Sequence, residues 1–276
     1  MKKILFLKLT VLLISFNSCS IPSNKLNIMS YNIRLDVESD GVNQWDNRKE
    51  GLVSLIKDEK PDVLGIQEGL PHQIKYLSNQ LDEYSMIGQG RDGGNNGEYS
   101  AIYYKNKKLT ALTFETFWLS ETPNIPSIGW DAALNRIATV GVFRVISSKK
   151  KLVVYNSHFD HIGIQAREKS ANLILNHIKD NNFNKNAIIV MGDLNAEPGD
   201  APIELLAANL DDSFNFFPTE KPFGTFSGFD LNSKLLNRID YIFTKNIEVL
   251  DYKHIQKKLP NKLWPSDHLP IFISIN

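Results

Sequence analysis

Short apolar segments of strand character alternate along this sequence with segments of helical periodicity. Residues 187–191 (AIIVM) are continuously apolar, as expected of a central strand. Between residues 171 and 178, four apolar residues recur at the i, i+3, i+4, i+7 spacing of one helix face. Such alternation over about 250 residues predicts a single α/β domain. Further strands are predicted at 26–31, 63–66, 100–104, 137–146, 152–156, 239–243 and 269–275, and another helix around 52–56.

The composition is that of an ordinary globular protein. Apolar residues make up 42% and charged residues 22% of the 276 residues, which excludes disorder, collagen and coiled coil as descriptions of the whole chain. Basic and acidic residues number 31 each, so no strong overall field selects nucleic acid or a membrane surface. The single cysteine excludes an internal disulfide framework and a zinc site built from several cysteines.

The first nineteen residues have the layout of an export signal. Lys2 and Lys3 precede a mostly apolar stretch that ends at Phe16, and Cys19 stands at the expected cleavage point. The run 16–19 (FNSC) resembles the lipobox of bacterial lipoproteins; a plain secretory signal with an incidental cysteine is the alternative. We therefore expect a lipoprotein signal peptide over 1–19 with lipidation at Cys19, a short tether over 20–25 and a domain over 26–276. The protein would then be exported and anchored to a bacterial membrane, in the periplasm or at the cell surface.

Predicted apolar strands meet acids, amides or histidines at six places. Glu68 follows the strand at 63–66, and Asp193 and Asn195 follow the strand at 187–191. One polar strand end is usually turn chemistry, but strand ends are also where α/β folds carry their sites. Carboxylate and amide oxygens suit Mg²⁺ or Mn²⁺, and histidine suits proton transfer. The other four polar strand ends are Asn32, the stretch 156–160 with His158, Asp240, and the pair Asp267 and His268. The six polar strand ends together predict a site for a hard cation with a general base.

The order of these segments resembles the endonuclease/exonuclease/phosphatase superfamily of metal-dependent phosphoesterases. The resemblance covers residues 26–276, and its specificity lies in the ordered set of motifs that ends in Ser-Asp-His, since each short motif alone is a weak signal. The opening at 32–36 and the nearby Trp45 and Arg48 resemble the deadenylase-like and bacterial secreted branch of the superfamily. The resemblance implies a four-layer α/β sandwich, with two packed mixed β-sheets flanked by helices. The matching segments are SYNIR (30–34), DVLGIQE (62–68), NSHFD (156–160), GDLN (192–195), RIDYI (238–242) and SDHLP (266–270).

The resemblance also implies a role for each matched residue. Asn32, Glu68 and Asp267 would hold Mg²⁺ or Mn²⁺, with Glu68 as the principal ligand. Asp193 would orient or activate the attacking water, assisted by Asn195. These residue types suit the reaction, because a phosphodiester is anionic and a cation must neutralise the charge that builds up during attack.

Two histidines complete the set that the resemblance implies. His268 would act as a base or as a hydrogen-bond partner of the transition state, oriented by Asp240, because an imidazole needs a partner on its second nitrogen to fix its tautomer. His158 would contact the scissile phosphate. Arg136 is interpreted as a charge-assisted contact to the substrate phosphate, with a surface ion pair as the alternative. His161 belongs to no matched motif and is expected to be solvated or structural.

We therefore predict a monomeric, divalent-metal-dependent phosphoester hydrolase. A nuclease or phosphodiesterase resembling 3′–5′ exonucleases is favoured, with a short or single-stranded nucleic acid, a nucleotide or another small phosphoester as substrate. Removal of the signal leaves 28 basic against 31 acidic residues, a formal charge of −3, and no long basic run that would follow a DNA duplex. Motifs define the reaction but not the group attached to the phosphate. A nucleotide, sugar or lipid-head-group phosphatase or phosphodiesterase is thus one alternative, and a catalytically degenerate binding lipoprotein is another.

Overall fold

Two β-sheets of six strands each lie between layers of helices in the computed structural model, which describes residues 25–217 and 224–276. The predicted signal peptide, Cys19 and most of the tether lie outside the described residues. In chain order the strands are β1 (Leu26–Asn32), β2 (Val63–Gly69), β3 (Tyr84–Ile87), β4 (Tyr99–Lys105), β5 (Leu109–Trp118), β6 (Ile137–Val145), β7 (Lys151–His158), β8 (Ala187–Asp193), β9 (Asp211–Asp212), β10 (Asp240–Lys245), β11 (Val249–His254) and β12 (Ile271–Ile275). The α-helices are α1 (Trp45–Glu59), α2 (Pro71–Gln80), α3 (Ile164–Asp180) and α4 (Ala201–Ala207).

Each sheet contains one parallel pair of strands at its centre. The first sheet has the order β11-β12-β1-β2-β4-β3 and the second has the order β5-β6-β7-β8-β10-β9. The parallel pairs are β1 with β2 and β7 with β8, and the other neighbouring strands are antiparallel. A parallel pair needs a crossover connection, which α1 supplies in the first sheet and α3 in the second. The carboxyl ends of both strands of a parallel pair therefore reach the same edge of their sheet.

Three apolar clusters separate the four layers. The clusters bury Leu52 and Leu77 of α1 and α2 against the first sheet, and Ile174 and Leu206 of α3 and α4 against the second sheet. The third cluster lies between the sheets and includes Ile28, Val154, Ile189, Met191 and Ile273. This arrangement confirms the predicted four-layer α/β sandwich with two packed mixed sheets flanked by helices. None of the helices in the described ranges combines the length and apolar character needed to cross a bilayer.

A buried polar contact joins the two sheets near the strand ends. The side-chain amide of Asn156 in β7 donates hydrogen bonds to the main-chain oxygens of Ile66 and Ala101, at 2.9 and 2.8 Å. Its Oδ1 accepts a hydrogen bond from Nε2 of Gln67 at 2.6 Å. Hydrogen bonds buried between apolar layers are directional and costly to leave unmade. Asn156 therefore fixes the position of one sheet relative to the other directly below the polar strand ends.

Candidate active site

The polar strand ends of both sheets meet at one side of the molecule. Asn32 and Glu68 come from the ends of β1 and β2, and His158 and Asp193 come from the ends of β7 and β8. Asp240 begins β10 directly opposite Asp193, because these two strands are antiparallel. The segment before β12 reaches the same place, where the Ser266 hydroxyl donates to the main-chain oxygen of Asn32 at 2.7 Å and so brings Asp267 and His268 to the site.

Asn32 connects the carboxylates of the two sheets. Its Nδ2 donates to Oε1 of Glu68 and to Oδ2 of Asp193, both at 2.9 Å. Its Oδ1 accepts from the main-chain N–H of Arg34 at 3.0 Å, and Oε2 of Glu68 accepts from the main-chain N–H of Leu35 at 2.9 Å. All of the polar atoms of the Asn32 side chain are thus engaged, and the amide holds Glu68 and Asp193 next to each other.

The backbone adopts unfavourable conformations at residues of the site. Glu68 has φ of 63° and Asn195 has φ of 46°, both in the left-handed region that non-glycine residues rarely occupy. The pairing of β2 with β4 is irregular between Ile66 and Gly69, so Glu68 lies at a bulge. Bulges redirect side chains at strand ends, and a strained residue costs about 1–3 kcal/mol. The surrounding fold therefore holds both side chains toward the site against a local energetic preference.

His268 and Asp240 form a buried imidazole–carboxylate pair. Nδ1 of His268 lies 2.8 Å from Oδ2 of Asp240, and its Nε2 lies 3.6 Å from Oδ2 of Asp193. Burial lowers the pKa of His268, but the carboxylates of Asp240 and Asp193 outweigh burial and raise that pKa well above its ordinary value. Burial also raises the pKa of Asp193, to about 7. The site thus contains a protonated imidazole next to a carboxyl group that exchanges its proton near neutral pH.

His158 lies on the other side of Asp193. Its Nε2 is 3.5 Å from Oδ2 of Asp193 and 3.1 Å from Nδ2 of Asn195. The Asn195 amide also donates to the main-chain oxygen of Phe159 at 3.1 Å, which fixes its orientation. Burial and the neighbouring Arg136 guanidinium hold the pKa of His158 well below its usual value. His158 is therefore a neutral imidazole, in contrast to His268.

Arg136 is buried, so the surface ion pair considered from the sequence is not what the structure shows. Its side chain is 5% exposed, and it donates from Nε to Oδ2 of Asp160 at 3.3 Å. Its Nη1 lies 3.1 Å from Nδ1 of His158, and its Nη2 lies 3.0 Å from Nδ1 of His161. The contact of Arg136 to a substrate phosphate remains a prediction, since these observed partners are all side chains of the protein.

The carboxylates around Glu68 provide the oxygen-rich surroundings that a hard cation needs. Glu68, His158 and Asp193 offer ligand atoms that lie within 4.8 Å of one another, and so do Asp193, Asp240 and His268. Burial and the neighbouring Glu68 carboxylate raise the pKa of Asp267. A divalent cation would relieve this repulsion between buried acids, so the residues fit a metal ion. Asn32, Glu68 and Asp267 remain the predicted ligands, and the bound ion would neutralise charge on a phosphate oxygen.

These side chains surround a cleft with a volume of about 490 Å³. A larger cavity of about 660 Å³ lies elsewhere, between α1 and residues 257–265, and contains none of the predicted site residues. The size of the cleft suits a small ligand. Its lining consists of Arg34, Leu35, Glu68, Arg91, Glu98, Leu134, Arg136, His158, His161, Asp193, Asn195, Phe226, Ile239, Asp267 and His268.

Three charged residues of the cleft wall were not predicted as site residues. Arg34 pairs with Asp40 at 2.9 Å, and Arg91 pairs with Glu98 at 2.8 Å. Arg34 lies inside the first matched motif, whereas Arg91 and Glu98 belong to none of the matched motifs. A pairing between two residues of one loop leaves no periodic signal, which is why their place in the cleft could not be inferred.

A family model described as the endonuclease/exonuclease/phosphatase family matches residues 29–268. The chain belongs to this family. Members of the family are metal-dependent phosphoester hydrolases, so this protein is a phosphoesterase and the predicted enzyme class is confirmed. The motifs and the polar cleft described above fall within the matched residues.

Solved structures of similar proteins cover nearly the whole domain. An endonuclease/exonuclease/phosphatase family protein from Bacteroides thetaiotaomicron is 33% identical, with 91% of this chain and 97% of that chain covered and a TM-score of 0.86. A mannosyl-6-phosphatase from the same organism is 33% identical, with 91% and 99% covered and a TM-score of 0.85. A probable RNA exonuclease of Saccharomyces cerevisiae is 26% identical over 63% of this chain and 38% of its own length.

Proposed function

We propose that this protein is a Mg²⁺- or Mn²⁺-dependent phosphatase that removes the phosphate group from a compact sugar phosphate. The observation that carries the proposal is the cleft itself, which gathers carboxylates, three histidines and three arginines around a volume of about 490 Å³. That volume suits a monosaccharide phosphate. The similarity to a mannosyl-6-phosphatase over 99% of that chain supports the same assignment.

The arginines of the cleft favour a phosphate group with two negative charges. Arg34 and Arg91 are each held by a carboxylate, Asp40 and Glu98, which fixes the guanidinium at the cleft wall. Guanidinium groups recognise phosphate oxygens through paired hydrogen bonds. A phosphate monoester carries more charge and more non-bridging oxygens than a diester, so a wall of this composition favours the monoester.

Asp193 and the two histidines beside it have the acid–base properties that hydrolysis of a phosphate ester requires. Asp193 accepts a proton from a water molecule as the water oxygen forms a bond to phosphorus and the bond to the sugar oxygen breaks. The leaving sugar oxygen takes up a proton from solvent, inorganic phosphate remains, and Asp193 releases the proton of the attacking water to solvent after the reaction. His268, protonated and oriented by Asp240 at 2.8 Å, stabilises the charge that develops on the phosphoryl oxygens. His158 donates a hydrogen bond to the same group.

A second candidate is the removal of nucleotides from the end of a single-stranded nucleic acid. Phe226 favours it, because this ring lines the cleft, is 37% exposed and lies 5.0 Å from the His268 ring. An exposed aromatic ring at the entrance of a phosphoesterase cleft can stack a base. The similarity to a probable RNA exonuclease supports this candidate, although the match spans 38% of that protein.

A substrate comparison distinguishes the two candidates. Mannose 6-phosphate, nucleoside 5′-monophosphates and a single-stranded RNA oligonucleotide would be incubated with the protein and Mg²⁺ or Mn²⁺, with His268→Ala as the control for contaminating activity. Release of phosphate from the sugar phosphate, with kcat/KM at least tenfold above that for the nucleotides, supports the phosphatase. Shortening of the RNA without hydrolysis of the monoesters supports the exonuclease. Hydrolysis of none of them contradicts both candidates.

We also propose that the protein is exported and held at a membrane by a lipid on Cys19. The sequence around Cys19 supports this proposal. Expressed in a bacterial host, the native chain is expected in the membrane fraction and in solution only after detergent treatment, whereas Cys19→Ser is expected to lose the membrane association. An unmodified Cys19 in mass spectra of the membrane-extracted protein would contradict the proposal.

A further inference from the structure

One guanidinium contacts two imidazoles in the cleft. Arg136 lies 3.1 Å from Nδ1 of His158 through Nη1 and 3.0 Å from Nδ1 of His161 through Nη2. Both imidazoles line the cleft, and the His161 side chain is 48% exposed whereas that of His158 is 9% exposed. The sequence motifs single out His158 but assign no role to His161.

The chemistry of arginine decides the tautomer of both rings. A guanidinium has donors only and stays protonated in proteins. Nδ1 of His158 and Nδ1 of His161 must therefore both accept, so each neutral ring carries its proton on Nε2. Asp160 keeps Arg136 in place, because its Oδ2 accepts from Nε while its Oδ1 accepts from the main-chain N–H groups of Ile162 and Gly163 at 3.0 and 2.8 Å.

The fixed tautomer leaves the Nε2–H of His158 without a close acceptor beside the reacting position, because Oδ2 of Asp193 lies 3.5 Å away, beyond the usual length of a hydrogen bond. Nε2–H of His158 lies 3.1 Å from Nδ2 of Asn195, and the Asn195 amide is oriented by its hydrogen bond to the oxygen of Phe159. Two donors side by side repel each other unless an acceptor oxygen lies between them. His161 adds a third donor to the lining of the cleft, because its Nε2 carries the proton when Nδ1 accepts from Arg136.

We propose that His161 is a substrate-recognition residue, held by Arg136 as the Nε2–H tautomer, which together with His158 donates hydrogen bonds to the non-bridging oxygens of the substrate's phosphoryl group. The proposal rests on the proposed phosphatase function and deepens it. A phosphate monoester has three non-bridging oxygens and a diester has two, so a third donor favours the monoester. Arg136 is then a positioning residue, which acts through the two imidazoles.

The kinetic test compares a monoester with a diester. His161→Phe keeps a ring but removes the donor, and His161→Gln keeps an N–H close to the position of Nε2. For p-nitrophenyl phosphate, His161→Phe is expected to raise KM about tenfold or more with kcat changed less than about threefold, since a hydrogen bond to a charged group is lost. For bis(p-nitrophenyl) phosphate the KM change is expected to stay below about threefold, and His161→Gln is expected to restore most of the monoester affinity.

His72→Phe provides a matched control, because His72 is another exposed histidine paired with a carboxylate, Asp36, and lies outside the cleft lining. It is expected to leave both KM values unchanged. Equal KM values for His161→Phe and the unaltered protein on the monoester would overturn the proposal, and so would equal increases for the monoester and the diester.

A measurement without turnover separates this proposal from the proposed function. Long-range ¹H–¹⁵N spectra of the full protein at neutral pH are expected to show both His158 and His161 as Nε2–H tautomers, and inorganic phosphate is expected to shift their signals and to bind more weakly to His161→Phe. A His161 with its proton on Nδ1, or a phosphate affinity that His161→Phe leaves unchanged, would refute the proposal. If neither chromogenic ester is hydrolysed, the proposed function fails while the spectra still decide the tautomers.

Discussion

Individual residues carry the acid–base chemistry through buried pairs. His268 and Asp240 lie 2.8 Å apart and are almost completely excluded from solvent. Oδ1 of Asp240 has no hydrogen-bond partner among the described residues, so this carboxylate interacts mainly through the oxygen that faces the imidazole. A buried carboxylate without a second partner is costly. The pair is therefore expected to act as one unit.

We predict that His268→Ala lowers kcat by about 10²–10⁴, because a positioned acid–base group contributes that much. Asp240→Asn is expected to act in the same direction, since the imidazole loses the charge that raises its pKa. The double variant is expected to be no more than about tenfold worse than the poorer single variant, because the two residues work together. Steady-state kinetics on the best of the substrates compared above measure kcat for each variant, and thermal unfolding checks that each variant is folded. If the losses in kcat of the two single variants multiply in the double variant, the two residues act independently.

The family resemblance identified site residues that lie in local sequence motifs, but it did not identify a residue whose role depends on a contact made only in the folded protein. Asn32, Glu68, His158, Asp193 and His268 each lie in a short motif next to an apolar strand, and the structure brings their side chains to one place. The function of His161 depends on a hydrogen bond to Arg136, 25 residues earlier in the chain. A pairing of that kind is created by the fold, so neither periodicity nor a local motif indicates it.

At the scale of secondary structure, the eight strands predicted from the sequence are the inner strands of the two sheets. The four strands without a prediction, β3, β5, β9 and β11, are the outer strands. Outer strands bury fewer side chains, as shown by β5, in which most of the central residues are exposed. A strand that is exposed on its edge lacks the apolar pattern that identifies inner strands. Burial, rather than strand propensity, therefore decided which strands could be predicted.

The close pairing of β7 and β8 depends on Gly192. Its φ is +146°, and a Cβ at this position would lie 1.9 Å from the main-chain oxygen of Ser157. We predict that Gly192→Ala lowers the free energy of unfolding by about 2–4 kcal/mol, because the two strands would have to separate. Gly199→Ala is the matched control, since Gly199 also has positive φ, +96°, but a Cβ added there would meet no atom of the described residues within 4 Å. Urea unfolding measures both, and equal losses would mean that backbone strain alone is responsible.

His254, the last residue of β11, makes the free energy of unfolding depend on pH. Burial, together with the Arg238 guanidinium, lowers the pKa of His254 to about 4. The unfolded chain has the ordinary value near 6.5 and so binds a proton first as the pH falls, which favours unfolding between about pH 6.5 and pH 4. We predict that this histidine contributes a loss of up to about 3 kcal/mol in unfolding free energy over that range. His254→Gln should show a shallower decrease in urea unfolding at several pH values; an identical decrease would contradict the assignment.

At the scale of the whole molecule, the active site exists only because two sheets are packed together. The pattern of strands and helices predicted an α/β domain, but the pairing of two separate sheets came from the family resemblance. Asn32 in the first sheet holds Asp193 in the second, and Asn156 joins the sheets below them. Contacts between residues far apart in the chain leave no local signal, so the alternation of strands and helices alone could not indicate which strand ends would meet.

The central claim is that a divalent cation at Glu68 and a base at Asp193 together hydrolyse a phosphoester in this cleft. The most direct measurement is phosphate release from the best substrate of the panel by the unaltered protein and by Glu68→Gln, first with a chelator and then with added Mg²⁺ or Mn²⁺. We predict that the chelator abolishes phosphate release, that either cation restores it, and that Glu68→Gln loses at least about 10²-fold in kcat/KM at equal cation concentration, because the charge on its metal ligand is removed. Undiminished phosphate release in excess chelator, or full activity of Glu68→Gln, would contradict the account.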